Sequence, residues 1–180
     1  MSAKTAERPQ ALQVRERGIP DELKARPQWC NWKYARAGEK WTKHPYNPRT
    51  GRKASSTDLF TWSPFDVVME AYEARRYDGI GFVFCSGDPY TGIDLDGCRD
   101  QKTGEVEPWA AKIIRDFDSF TELSPSGTGF HILVRGGLPG GGRKRGFKRG
   151  CKRGSIEIYD MKRFFTVTGH VAGVVEVRAA

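Results

Sequence analysis

The stretch Gly-Ile-Asp-Leu-Asp-Gly at residues 92–97 constrains this chain more than any other, because it sets two carboxylates two positions apart inside an apolar strand. Side chains of extended backbone alternate between faces, so Ile93 and Leu95 share one face while Asp94 and Asp96 share the other. The Cα atoms of two such acids lie about 6.6 Å apart, and a carboxylate pair brought to about 4 Å repels by roughly 4 kcal/mol at an effective dielectric of about 20. One face is therefore core, and the other needs water or a cation beside it. An Asp-x-Asp pair alone does not choose between a metal site and a solvated edge strand.

The same alternation recurs twice downstream. Phe130, Ile132 and Val134 share a face that excludes His131, and Ile156 and Ile158 share a face that excludes Glu157 and Tyr159. Three strands thus gather Asp94, Asp96, His131 and Glu157 opposite their apolar sides. A solvated sheet face mixes lysine, threonine, serine and glutamate; three acids and a histidine on one face point instead to metal and phosphate chemistry.

The remaining elements frame these strands. Residues 1–19 read as a mobile tail and 20–180 as a single domain, long enough to bury roughly 70% of its unfolded surface. Trp29 to Ala35 and Trp41 to Tyr46 read as an aromatic hairpin followed by a loop, and Lys43 with Arg49, Arg52 and Lys53 of the loop offer phosphate contacts or merely solvated charge. Ser63-Pro64 starts a helix, with the hydroxyl as cap and Phe65, Val68, Met69 and Tyr72 as its core stripe. Ile80 to Cys85 and the Asp94/Asp96 strand read as the two arms of a hairpin, and Pro108 opens a helix that packs Trp109, Ile113 and Phe117 inward. A last strand starts at Arg163 with Phe165 and Val167 inward, and residues 172–177 read as an edge strand.

The charge is uneven. The chain has 30 Lys and Arg against 22 Asp and Glu, a net charge of +8, with much of the excess in residues 140–154. There Arg143, Lys144, Arg145, Lys148, Arg149, Lys152 and Arg153 alternate with glycines, a pattern read as a flexible basic loop suited to a phosphodiester backbone. A polyanionic partner follows, nucleic acid before membrane. No apolar run approaches the roughly 20 residues of a membrane span, and the polar amino terminus carries no secretion signal, so a cytoplasmic protein is expected. Cys30, Cys85, Cys98 and Cys151 show no metal-ligand spacing, and His44, His131 and His170 share no local motif, so neither disulfides nor a zinc centre is expected.

In order, Gly-Ile-Asp-Leu-Asp, Ser-Pro-Ser-Gly-Thr-Gly-Phe-His, and Ile-Glu-Ile-Tyr followed by Arg-Phe-Phe-Thr-Val-Thr-Gly resemble the three motifs of the primase-polymerases, the phage and plasmid branch of the archaeo-eukaryotic primase superfamily. The likeness runs from about Trp29 to Gly169, and Lys43-His-Pro-Tyr and Ala54-Ser-Ser-Thr-Asp add to it. It implies an α+β fold: an RRM-like antiparallel-sheet catalytic module interlocked with an α/β amino-terminal module. It further implies two-metal nucleotidyl transfer, with Asp94, Asp96 and Glu157 holding two Mg2+ or Mn2+ ions and His131 on the phosphates of a nucleoside triphosphate. Ser126, Lys43, Lys162 and Arg163 are further candidate phosphate contacts. Implied partners are single-stranded DNA template and primer, ribo- or deoxynucleoside triphosphates, and a replicative helicase; a membrane is not among them. The histidine motif here is Gly129-Phe130-His131 where the family commonly has Ser-x-His, and Asp160 stands as a rival to Glu157 for the third acid.

Two other functions are open at this level. A catalytically inactive single-strand-binding module would keep the sheet and the cations but has no use for converging carboxylates. A rolling-circle initiator needs paired histidines and a nucleophilic tyrosine, and here no strand carries two histidines.

Overall fold

A computed structural model describes residues 7–140, 142–149 and 152–180, with backbone alone for 147–149 and 152–153. Among these residues the chain forms two antiparallel sheets and few helices, an α+β arrangement. The strands are β1 (Trp29–Ala37), β2 (Lys40–Tyr46), β3 (Gly79–Phe84), β4 (Tyr90–Asp96), β5 (Thr121–Leu123), β6 (Phe130–Arg135), β7 (Arg143–Arg149), β8 (Lys152–Tyr159) and β9 (Arg163–Val167). The helices are α1 (Asp21–Lys24), α2 (Phe65–Glu73) and α3 (Pro108–Phe117). One sheet has the order β2-β1-β3-β9 and the other β5-β6-β4-β8-β7.

Period-two alternation dictates how these layers meet. Ile93, Leu95, Phe130, Ile132 and Val134 form one core cluster, against which Trp109, Ile113 and Phe117 of α3 and Ile156 and Ile158 of β8 pack. The opposite face of the same strands turns toward the first sheet, where Leu133 joins Phe82, Phe84, Phe165 and the α2 residues Phe65, Val68 and Met69 in a second cluster. Gly92 permits this approach: a Cβ there would meet the rings of Phe84 and Phe165 at 2.6 and 2.7 Å. The carboxylate face of β4 therefore lies between two sheets.

Several sequence expectations change. The segments 80–85 and 92–96 do not pair as hairpin arms; β3 pairs with β1 and β9, and β4 with β6 and β8. Every residue of β3 is buried, which calls for a neighbour on each side. The turn between β3 and β4 is fixed by Asp88, whose carboxylate accepts from the Cys85 and Tyr90 backbone N–H groups and the Gln28 amide, and it hands the chain from one sheet to the other.

Of the segment read as a mobile tail, residues 7–19 are described, and they run against the body. Leu12 N–H donates to the Pro125 carbonyl and Arg15 N–H to that of Thr168, while Ile19 is 2% exposed. Leu12, Val14 and Ile19 carry apolar anchors without α-helical period, and the arm docks extended up to a single 3-10 turn at Glu16–Gly18. Residues 143–149 and 152–154 of the segment read as a basic loop are strand: β7 and β8 pair in register from Arg143 opposite Ile158 to Arg149 opposite Lys152. Ser63 does not cap α2, since its backbone pairs with Trp29 and Pro64 occupies the cap. Within 172–177 a single residue, Val174, bridges to Phe120 in place of an edge strand, with Val171 just before it bridging Glu122.

Candidate active site

Register on three adjacent strands builds the site. Asp94 on β4 stands directly opposite His131 on β6 and Glu157 on β8, so the imidazole and the third acid flank the first. These three line a cavity of about 690 Å³ between the sheets. The facing wall comes from the first sheet and its loops: Lys43 and Pro45 of β2, Ala54 to Ser56, and Lys162 to Thr166. Asp96 shares the face of Asp94 but is exposed at the rim, and its charge reaches both Asp94 and Lys43. Glu157, not its rival Asp160, faces the cavity; Asp160 accepts from Leu138 N–H.

The electrostatics are those of a site that gathers acids. Burial lifts the Asp94 carboxyl above its usual range, with Asp96 and Glu157 adding to the rise against the pull of His131 and Lys43. Its Oδ1 is buried without a hydrogen-bond partner and lies 3.7 Å from His131 Nε2. Burial also draws the Lys43 ammonium down, while Asp94 and Asp96 pull it back up. At Glu157 burial acts upward, yet hydrogen bonds from the Lys144 ammonium and the Tyr159 hydroxyl outweigh it and hold the carboxyl low.

One functional candidate is absent from the sequence reading. Glu122 on β5 is fully buried beside His131, with its Oε1 3.3 Å from Nδ1. The same carboxylate accepts from the backbone N–H groups of Thr168 and Gly169 at 2.7–3.1 Å. Because a carboxylate only accepts, Nδ1 carries a proton and Nε2 is the atom turned toward Asp94. The available signal was phase: Glu122 alternates with the core residue Phe120, so a charge falls on an apolar face.

Other predicted residues divide. Lys162 and Arg163 line the cavity, with the Lys162 carbonyl accepting from Ser56 Oγ and the Arg163 guanidinium 4.8 Å from the Tyr159 ring centroid. Ser126 does not reach the cavity; its hydroxyl bonds Ser124 and Thr128 within its own turn. Lys144 is opposite Glu157 and faces inward, whereas Arg143 and Arg145 are opposite Ile158 and Ile156, on the α3 side. The side chains of Lys148, Arg149, Lys152 and Arg153 lie outside the described residues.

The donor set suits a hard divalent cation: Asp94, Asp96 and Glu157 offer only carboxylate oxygens, and one of them is buried without a partner. With Lys144 on Glu157, no three acidic, imidazole or thiol groups among the described residues close around a single point.

No protein-family model matches the chain. It is 39% identical over 145 residues, 80% of its length, to a DNA primase-polymerase of Nitratiruptor phage NrS-1. By that match the chain belongs to the primase-polymerase family. It spans 19% of that relative's length. Asp94, His131 and Glu157 stand on neighbouring strands of one sheet. Among the described residues no helix is long and apolar enough to cross a membrane.

Proposed function

We propose that this domain carries out template-directed nucleotidyl transfer on single-stranded DNA, joining a nucleoside triphosphate to a primer strand with release of pyrophosphate. The observation that carries the reading is the confrontation across one cavity: Asp94, Glu157 and His131 on one wall, Lys43, Lys162 and Arg163 on the other. The primase-polymerase name of the phage relative fits that chemistry.

Asp94, Asp96 and Glu157 would hold two Mg2+ or Mn2+ ions, which when bound lower the pKa of the attacking 3′-hydroxyl and offset charge on the leaving pyrophosphate. The chain's own groups do the positioning. His131, oriented by Glu122, turns Nε2 into the cavity as a phosphate contact. Lys43, Lys162 and Arg163 supply positive charge where the triphosphate lies, and Lys43 is the most enclosed of the three. Lys144 occupies Glu157 as an internal cation and must leave it for the acid to serve as a ligand.

The test is incubation with a single-stranded template, labelled nucleotides and Mg2+ or Mn2+, with and without annealed primer, beside Asp94→Ala/Asp96→Ala. Products that vanish in the double variant are expected. Template binding without product under every condition would overturn the catalytic reading and leave a single-strand-binding module.

A further inference from the structure

On the side of the first sheet away from the active site, Lys33, Tyr46, Pro48, Arg49, Arg75, Arg76 and their neighbours line a second cleft of about 620 Å³. Strand alternation makes the two clefts back to back. Pro45 of β2 lines the catalytic cavity and the next residue, Tyr46, lines this one. On β1, Lys33 likewise points away from the face shared by Trp32 and Tyr34.

The lining is cationic and aromatic and holds no acid. Lys33 Nζ lies 4.8 Å from the Tyr77 ring centroid and 5.8 Å from that of Tyr46, so two ring faces hold the ammonium. Among the described residues no carboxylate pairs with Lys33, Arg49, Arg75 or Arg76; the nearby Asp78 is taken by Arg8 and by the Tyr34 N–H. Arg75 stands in left-handed backbone at φ 55°, which a non-glycine residue adopts at a cost. The chain between the clefts is basic as well. Lys53 bridges back to Tyr46, Arg52 precedes it, and Ala54 N–H then bonds the Pro45 carbonyl to lead Ser55 and Ser56 onto the catalytic wall.

We infer that this back cleft binds the phosphodiester backbone of single-stranded DNA, continuing the strand held in the catalytic cavity around the edge of β2. Unpaired cations beside tyrosine faces suit that ligand: the charges meet phosphates, and the rings offer sequence-independent stacking. The inference uses the nucleotidyl-transfer reading only for where the strand comes from. Binding is measured in EDTA without nucleotide, so a failure here is distinct from a failure of catalysis.

The experiment compares the parent chain with Arg49→Ala/Arg76→Ala, two exposed positions, and with Arg75→Gly, which removes a charge while relieving a left-handed residue. Unchanged or raised melting temperatures establish that both fold. Fluorescence anisotropy is read with oligothymidylates of about 5 to 25 nucleotides and, separately, with inorganic triphosphate, between about 50 and 200 mM salt. Each lost single-strand contact lowers the log–log salt slope by about 0.7 and affinity about fivefold at 0.1 M salt, so the double variant loses about 25-fold on long oligonucleotides and progressively less on short ones. Unchanged slopes at every length, or the same loss at every length, would overturn the continuous path. Weakened triphosphate binding with oligonucleotide binding intact would overturn the DNA assignment in favour of a free anion site.

Discussion

Replacing Asp94 by asparagine removes one negative charge and keeps the shape of the side chain, so it isolates what that charge costs the fold. Asp94 is 24% exposed at its side chain, stands directly opposite Glu157, and shares a strand face with Asp96. Asp96 two residues on contributes about 2.5 kcal/mol of repulsion at about 6.6 Å and an effective dielectric of about 20, and a like charge directly across strands adds about 0.2–1 kcal/mol. Lys43 and His131 offset part of this. The net stabilisation expected of Asp94→Asn at pH 7.5 in EDTA is about 1–2 kcal/mol, or about 2–8 °C in Tm for a chain of this size. The pH dependence follows from the raised carboxyl. Between the unfolded value near 4 and the higher folded one, the native state binds the proton more tightly, so the parent loses stability as pH rises through that window. The advantage of the variant is therefore full above the folded pKa and disappears below about pH 4. Divalent metal should invert the order. At about a hundredfold excess over Kd, Mn2+ would stabilise the parent by about 2.7 kcal/mol and the variant by far less. Thermal unfolding at several pH values, with EDTA and with Mn2+, reads all of this. A parent more stable than the variant in EDTA at neutral pH, or a gap that persists below pH 4, would refute the electrostatic reasoning; a metal-blind melting temperature would refute the ligand assignment.

Glu122→Leu leaves the Thr168 and Gly169 N–H groups and His131 Nδ1 without their acceptor and should cost at least about 1–3 kcal/mol in urea unfolding, whereas Glu122→Gln keeps one acceptor oxygen and should cost less. Gly129→Ala would put a Cβ 2.1 Å from the Leu95 carbonyl oxygen, a backbone atom that cannot swing aside, and is expected to lower Tm by several degrees, consistent with about 1–3 kcal/mol of overpacking. Lys144→Met releases Glu157 from the contact that holds its carboxyl low; the stability that this depressed group supplies above the unfolded carboxylate range, and loses as pH falls, should be smaller in the variant when Tm is followed from pH 7 to pH 3. In salt titrations of single-strand binding, Lys144→Met should reduce the slope by about 0.7 while Arg143→Ala/Arg145→Ala leaves it unchanged, because register puts those two arginines on the α3 face.

Much of this was legible in the sequence because alternation is a local property. Ile93, Leu95, Phe130, Ile132 and Val134 announce their core face at a spacing of two, and the same rule puts Asp94, His131 and Glu157 on the other side. Partner choice is not local. Residues 79–84 and 90–96 are joined by a tight turn that suits a hairpin, and only the burial of both faces of the first segment reveals that it belongs between β1 and β9. The basic strand pair β7–β8 was hidden for a related reason. Glycines and like charges lower its strand propensity, and its register comes from β8 and, through it, from β4, not from its own residues. Glu122 escaped because a lone acid in a three-residue strand has no motif; its role follows from the three N–H groups that converge on it.

The two-sheet construction also divides the labour of the site. The acids and the histidine sit on neighbouring strands of one sheet, where ladder register fixes their spacing to within the tolerance of the backbone. Of the facing cations, Lys43 is on the edge strand β2 and Arg163 opens β9 opposite Phe84, while Lys162 stands in the turn before β9, left-handed at φ 56°, with its carbonyl accepting from Ser56 Oγ. On the proposed nucleotidyl-transfer reading, groups held by register suit a step that demands fixed geometry, and a group carried on a turn, as Lys162 is, suits a triphosphate that would enter and a pyrophosphate that would leave. Changes at Lys162 should therefore fall on nucleotide affinity, and changes at Asp94, Asp96 or Glu157 on the chemical step itself.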